Sequence, residues 1–180
     1  TWTLPRWSPL FVFTHRFEFI AGGDELINIP TLQLALGLPA PRSFGISAGL
    51  DYTSNSESVP SLAGGNETQW WLRVSLPRTG RLQYSLTGAY NTAAESLDGA
   101  AGVQADLGRL TMVAEARGFT ERFGDGSGGA AAVGASLRIT RYLAIQGDIG
   151  SAFTDDVGDP WSAGLAVAIP GSPHTFTLHA

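Results

Sequence analysis

The chain has 180 residues and a net charge of −5 with no cysteine, which bounds it to one domain without disulfides or thiolate metal sites. Charged residues make up 15% of it, against about 25% in a soluble globular chain, yet the mean hydropathy is only +0.06. The acidic balance argues against nucleic acid as a partner, and no run approaches the roughly 18 apolar residues of a membrane helix.

Taken in chain order, the sequence alternates strand-like segments with turns that are alternately short and long. Eleven strands are expected, at about 9–19, 29–37, 43–53, 68–76, 81–91, 100–107, 109–119, 130–139, 141–151, 160–169 and 174–179. The first carries the adjacent polar pair His15 and Arg16, which strand geometry sends to opposite faces, Arg16 with Glu18. The second is irregular, because Pro30 interrupts its start and leucines occupy both parities. The third alternates cleanly: Phe44, Ile46, Ala48, Leu50 and Tyr52 point one way, and Ser43, Gly45, Ser47, Gly49 and Asp51 the other. The fifth repeats this with Leu82, Tyr84, Leu86 and Tyr90 against Gln83, Ser85 and Thr87, and the tenth with Trp161, Ala163, Leu165, Val167 and Ile169.

The short connections are 38–43, 77–81, 107–109, 140–141 and 170–173, and the long ones 20–28, 53–68, 92–99, 120–129 and 154–160. Charge sorts with them. Of the 16 acidic residues, 11 fall in the long loops: Asp24, Glu25, Glu57, Glu67, Glu95, Asp98, Glu121, Asp125, Asp155, Asp156 and Asp159. Arg122 is the sole basic residue there, whereas Arg42, Arg78, Arg81, Arg109 and Arg141 lie in or beside the short turns. One rim is acidic and the other basic. An up-and-down antiparallel meander with short turns at one end and long loops at the other is the plan of bacterial outer-membrane barrels.

The two strand faces point the same way. The polar face is rich in Gly, Ala and Ser, and its charges are of both signs: Arg16, Arg73, Arg117 and Arg138 against Glu18, Asp51, Asp106, Glu115 and Asp148. A narrow lumen needs small side chains and a balanced ionic network, because unpaired buried charge is costly. These nine residues are therefore the expected lumen lining, and their balance implies weak ion selectivity if the lumen conducts. Tyr52, Trp70, Trp71, Tyr90, Phe153 and Trp161 border the long loops, and Phe11, Phe44 and Tyr142 the other end. Rings at both levels suit the aromatic girdles of a membrane barrel.

Phe13-Thr14-His15-Arg16-Phe17 and Pro173-His174-Thr175-Phe176-Thr177-Leu178-His179-Ala180 resemble the first-strand His-Arg-Phe signature and a late strand of an uncharacterised β-barrel family known only as a domain of unknown function. The resemblance implies an outer-membrane barrel and no established activity, so no catalytic residue is carried over. The family's late strand is usually followed by closing strands, and single-chain barrels have even strand numbers. Twelve or more strands are thus expected in the full chain, with truncation at the C-terminus. A start at Thr1 without Met or signal peptide suggests a mature or trimmed product.

The expected fold is an all-β, up-and-down antiparallel transmembrane β-barrel in the bacterial outer membrane, acting as a narrow pore or a structural component. Its expected partners are outer-membrane lipid, other envelope proteins or further copies of itself. The alternatives are a soluble β-barrel or sandwich binding an apolar ligand and, less favoured, a membrane-embedded hydrolase. No serine and histidine share a distinctive spacing, so no enzyme is expected. A His15–His174 metal pair lacks a matched carboxylate, and Asp155, Asp156 and Asp159 lack EF-hand spacing. No cofactor is expected beyond Ca²⁺ or Mg²⁺ held weakly at the acidic loops, with those three aspartates as the candidate ligands.

Overall fold

The computed structural model describes residues 3–19, 26–41, 43–56, 65–121, 126–153, 159–171 and 175–179; of these, side chains at 15–19, 26–29, 55–56, 65 and 178–179 lie outside the description. Among the described residues eleven strands follow one another: β1 (Pro9–Phe19), β2 (Leu26–Leu38), β3 (Gly45–Ser56), β4 (Gly65–Ser75), β5 (Leu82–Asn91), β6 (Ser96–Leu107), β7 (Leu110–Phe119), β8 (Gly128–Arg138), β9 (Leu143–Ala152), β10 (Trp161–Ala168) and β11 (Thr175–His179). They form one sheet in sequence order, and each neighbouring pair is antiparallel. The expected meander is therefore present. The sheet does not close on itself: β1 and β11 are its two edges.

The connection at 107–109 is a true hairpin. Leu107 pairs with Leu110, leaving Gly108-Arg109 as a two-residue turn in which Gly108 has φ 79°. Positive φ at the first central position matches the right-handed twist of the flanking strands, and glycine adopts it without steric cost. Pro30 fits β2 because the ladder with β3 begins only at Thr31↔Thr53. On that side the chain at Pro30 behaves as an edge, where a missing N–H costs little.

Strands reach further into the long-loop end than the sequence suggests. β6 starts at Ser96 rather than near 100, so the expected loop 92–99 shrinks to a turn of four residues, 92–95. Asn91 shapes it: its Oδ1 accepts hydrogen bonds from the Ala93 and Ala94 amides at 3.1 and 3.2 Å, and Glu95 adopts φ 51°. Likewise β4 begins at Gly65, placing Glu67 within a strand.

Burial is inverted relative to a water-soluble sheet. Among the described residues the buried apolar side chains are Ala35, Trp71 and Phe119, whereas seven polar ones are buried: Ser47, Glu67, Ser75, Ser85, Asn91, Ser96 and Asp98. The opposite face leaves Phe11, Leu34, Leu72, Leu86, Val133, Ile149, Trp161 and Leu165 exposed. Below, the face bearing the buried polar groups is called inner and the apolar one outer.

The N-terminal segment lies across the inner face at the short-turn end. The Leu4 amide donates to Ser47 Oγ at 2.8 Å, and the Trp7 amide donates to the Gly37 carbonyl. A Cβ on Gly37 would come within 1.8 Å of the Pro5 carbonyl oxygen, and one on Gly45 within 1.8 Å of Thr3 Oγ1. Two glycines of the small-residue face thus make room for the chain's own first turn.

Candidate functional site

Register decides which side chains share the inner face. Ser47 pairs with Arg73, Arg73 with Thr87, Gly102 with Glu115, Ala100 with Arg117 and Gly134 with Asp148. Because strand partners point to the same side, Asp51, Arg73, Asp106, Glu115, Arg117, Arg138 and Asp148 all lie on one face, as their parity suggests. Arg16 and Glu18 are opposite Ile29 and Ile27 in the backbone ladder, and their side chains lie outside the described residues.

The way these groups are satisfied departs from the expected ionic network. Among the described residues the ion pairs are Arg78–Asp106 at 2.9 Å and Arg117–Glu115 at 3.1 Å. Asp51 instead accepts from Gln33 Nε2 and Trp71 Nε1, both at 2.9 Å. Arg73 donates to Thr87 Oγ1 at 2.9 Å and lies 5.5 Å from the Trp71 ring centre. Asp148 accepts from the Ser162 hydroxyl, and Arg138 reaches only the Gly108 carbonyl, at 3.5 Å. Neutral donors satisfy carboxylates without a second desolvated charge, which is the less costly arrangement on a half-buried wall.

Toward the long loops the inner face carries a buried polar layer. Asn91 Nδ2 donates to Glu67, Gln69 Nε2 donates to Asp98 at 2.8 Å, and the Ser96 hydroxyl donates to Asp98 at 2.7 Å. Ser96 Oγ in turn accepts from the Glu121 amide at 3.2 Å. Glu67 and Asp98 are therefore not rim acids: they are only 7% and 8% exposed and belong to the wall. Trp71 is a second correction. Trp70 is 55% exposed on the outer face, as a girdle residue would be, but Trp71 turns inward and is 9% exposed. Strand alternation was the available signal, together with Gly49, whose Cβ would lie 2.3 Å from Trp71 Cζ2.

Two concavities flank this wall. A trough of about 1000 Å³ is lined by Phe11, Leu34, Leu36, Trp70, Leu72 and Tyr90 among others and is almost wholly apolar. A smaller bowl of about 430 Å³ lies at the short-turn end of β6–β11 and includes Asp106, Arg109, Arg138 and Arg141.

Of the weak metal candidates, Asp155 and Asp156 lie outside the described residues and Asp159 is exposed. Among the described residues no three His, Asp or Glu side chains gather as a metal site. The side chains of His15, His174 and His179 also fall outside the description. Comparison with protein families, curated proteins and solved structures finds no match.

Proposed function

We propose that the chain is an integral β-barrel protein of the bacterial outer membrane, with its outer face in lipid and its inner face lining a narrow pore or a filled structural lumen. The observation that carries this reading is the inverted burial: large apolar side chains line the exposed face, and on β3 to β6 the other face buries seven polar side chains, with Asn91, Ser96, Glu67 and Asp98 joined by hydrogen bonds. In water such a face is an aggregation hazard, and patches beyond a few hundred Å² mark interaction or membrane surfaces. In a bilayer it is the required exterior, and alternation of apolar-out with polar-in is the pattern of barrel strands. The lengths of β1 to β9, each ten residues or more, agree. Ten residues of β5, at about 3.4 Å each and tilted about 40°, rise roughly 26 Å, close to the ~25 Å apolar band of such barrels.

The apolar trough supports the same reading, since its lining offers acyl chains contact without polar competition. A soluble barrel binding an apolar ligand inside would need the opposite orientation of the faces. Expression with a cleavable signal peptide and fractionation of the envelope tests the proposal: recovery in the outer-membrane fraction is expected, and a detergent-free, monodisperse soluble monomer would overturn it. Planar-bilayer recording then separates the two roles. Conductance above a protein-free control assigns a pore, and its absence assigns a structural component.

A further inference from the structure

We infer that the bowl at the short-turn end of β6–β11 is a binding site for a phosphate-class oxyanion. Its polar walls come from the inner face and its rim from two short turns. Arg138 and Ser136 of β8 form one side, Thr111 of β7 another, and Arg109 and Arg141 close the rim from the hairpins. The floor is Ala144, Ala166 and Ala168, whose small side chains leave the depth open.

Charge sets the ligand class. Three arginines line the bowl against a single acidic residue, Asp106. That carboxylate is already engaged by Arg78 from outside the bowl at 2.9 Å, and also by Gln104 at 3.0 Å and Thr111 at 3.3 Å. None of the three bowl arginines is in an ion pair among the described residues. Arg138 reaches a turn carbonyl at 3.5 Å, and Arg141 stacks 4.4 Å from the Tyr142 ring centre. A planar guanidinium fork binds phosphate or carboxylate oxygens bidentately, and stacking on an aromatic ring holds the fork in place. The hydroxyl of Ser136 adds a neutral donor beside Arg138. Three arginines and neighbouring hydroxyl side chains around one bowl favour an oxyanion with three or four oxygens over a monodentate anion such as chloride.

The inference goes beyond the membrane reading and concerns only the chemistry of this bowl. Inorganic phosphate titrated calorimetrically into the full chain, folded in detergent micelles at constant ionic strength, is the test. Saturable binding is expected, and Arg138→Gln should weaken it by about tenfold or more, as loss of one charge-assisted contact implies. Arg141→Gln, in an exposed turn, should act in the same direction and serves if the β8 variant fails to fold. Arg117→Gln, which removes an inner-face arginine already paired with Glu115, should leave the affinity within about twofold. Dihexanoyl phosphatidic acid distinguishes the sources of the group: tighter binding than inorganic phosphate identifies a lipid headgroup, and equal or weaker binding a free anion. The inference is overturned if neither probe binds saturably, or if Arg117→Gln weakens binding as much as Arg138→Gln does.

Discussion

Arginine in place of Leu86 would place a charge at the centre of the outer face. Leu86 is 54% exposed, stands midway along β5 and is flanked across the sheet by Val74 and Ala101. If that face meets lipid, the substitution should cost about 2–4 kcal/mol, the cost of a cation at the bilayer midplane. The same change at Leu82, four residues toward the short-turn end of the strand, is displaced by roughly 10 Å along the membrane normal at about 3.4 Å per residue and about 40° of tilt. There the cost should fall to about 0–1 kcal/mol. Equilibrium urea titration of folding into phospholipid vesicles measures both. A soluble protein would give a different answer, because an exposed Leu→Arg change away from special features stays within about 0.5 kcal/mol. Equal costs at the two positions, or a cost below about 0.5 kcal/mol at Leu86, would refute the reasoning.

Asn91→Ala should destabilise by about 2 kcal/mol or more in the same titration, because it strips a donor from the buried Glu67 and the acceptor that closes the 92–95 turn; a change under about 0.5 kcal/mol would count against the buried polar layer. Gly45→Ala should expel Thr3 from the inner face, so the Leu4 amide, which donates to Ser47, should lose its protection in hydrogen exchange. Unchanged protection at Leu4 would mean that the N-terminal segment does not rest there.

Much of the sheet was legible because alternation is a local property. The third, fifth and tenth strands each show it without a break, and the register aligns their faces as parity implies. The acidic groups were harder. Glu67 and Asp98 look like loop carboxylates along the chain, and the amides that satisfy them, on Asn91 and Gln69, lie on neighbouring strands. Only register brings those partners together. The lumen charges show the same limit: the sequence displays balanced signs, but Asp51 is satisfied by an amide and an indole while Arg138 stays beside a turn carbonyl. Trp71 was recoverable from parity, since Trp70 and Trp71 are neighbours in one strand and cannot both face lipid. Non-closure between β1 and β11 accords with the odd strand count, since eleven alternating strands leave the two edges running in the same direction.

The adjacent tryptophans also provide the most direct test of the two-faced wall. Two single-tryptophan proteins, one retaining Trp70 and one Trp71 with the other tryptophans replaced by phenylalanine, would be folded into vesicles whose acyl chains carry bromine. The account predicts strong quenching of Trp70, which is exposed on the outer face, and little quenching of Trp71, whose indole is turned inward onto Asp51. Equal quenching of the two, or none at Trp70, would contradict an apolar face in lipid and a polar face within.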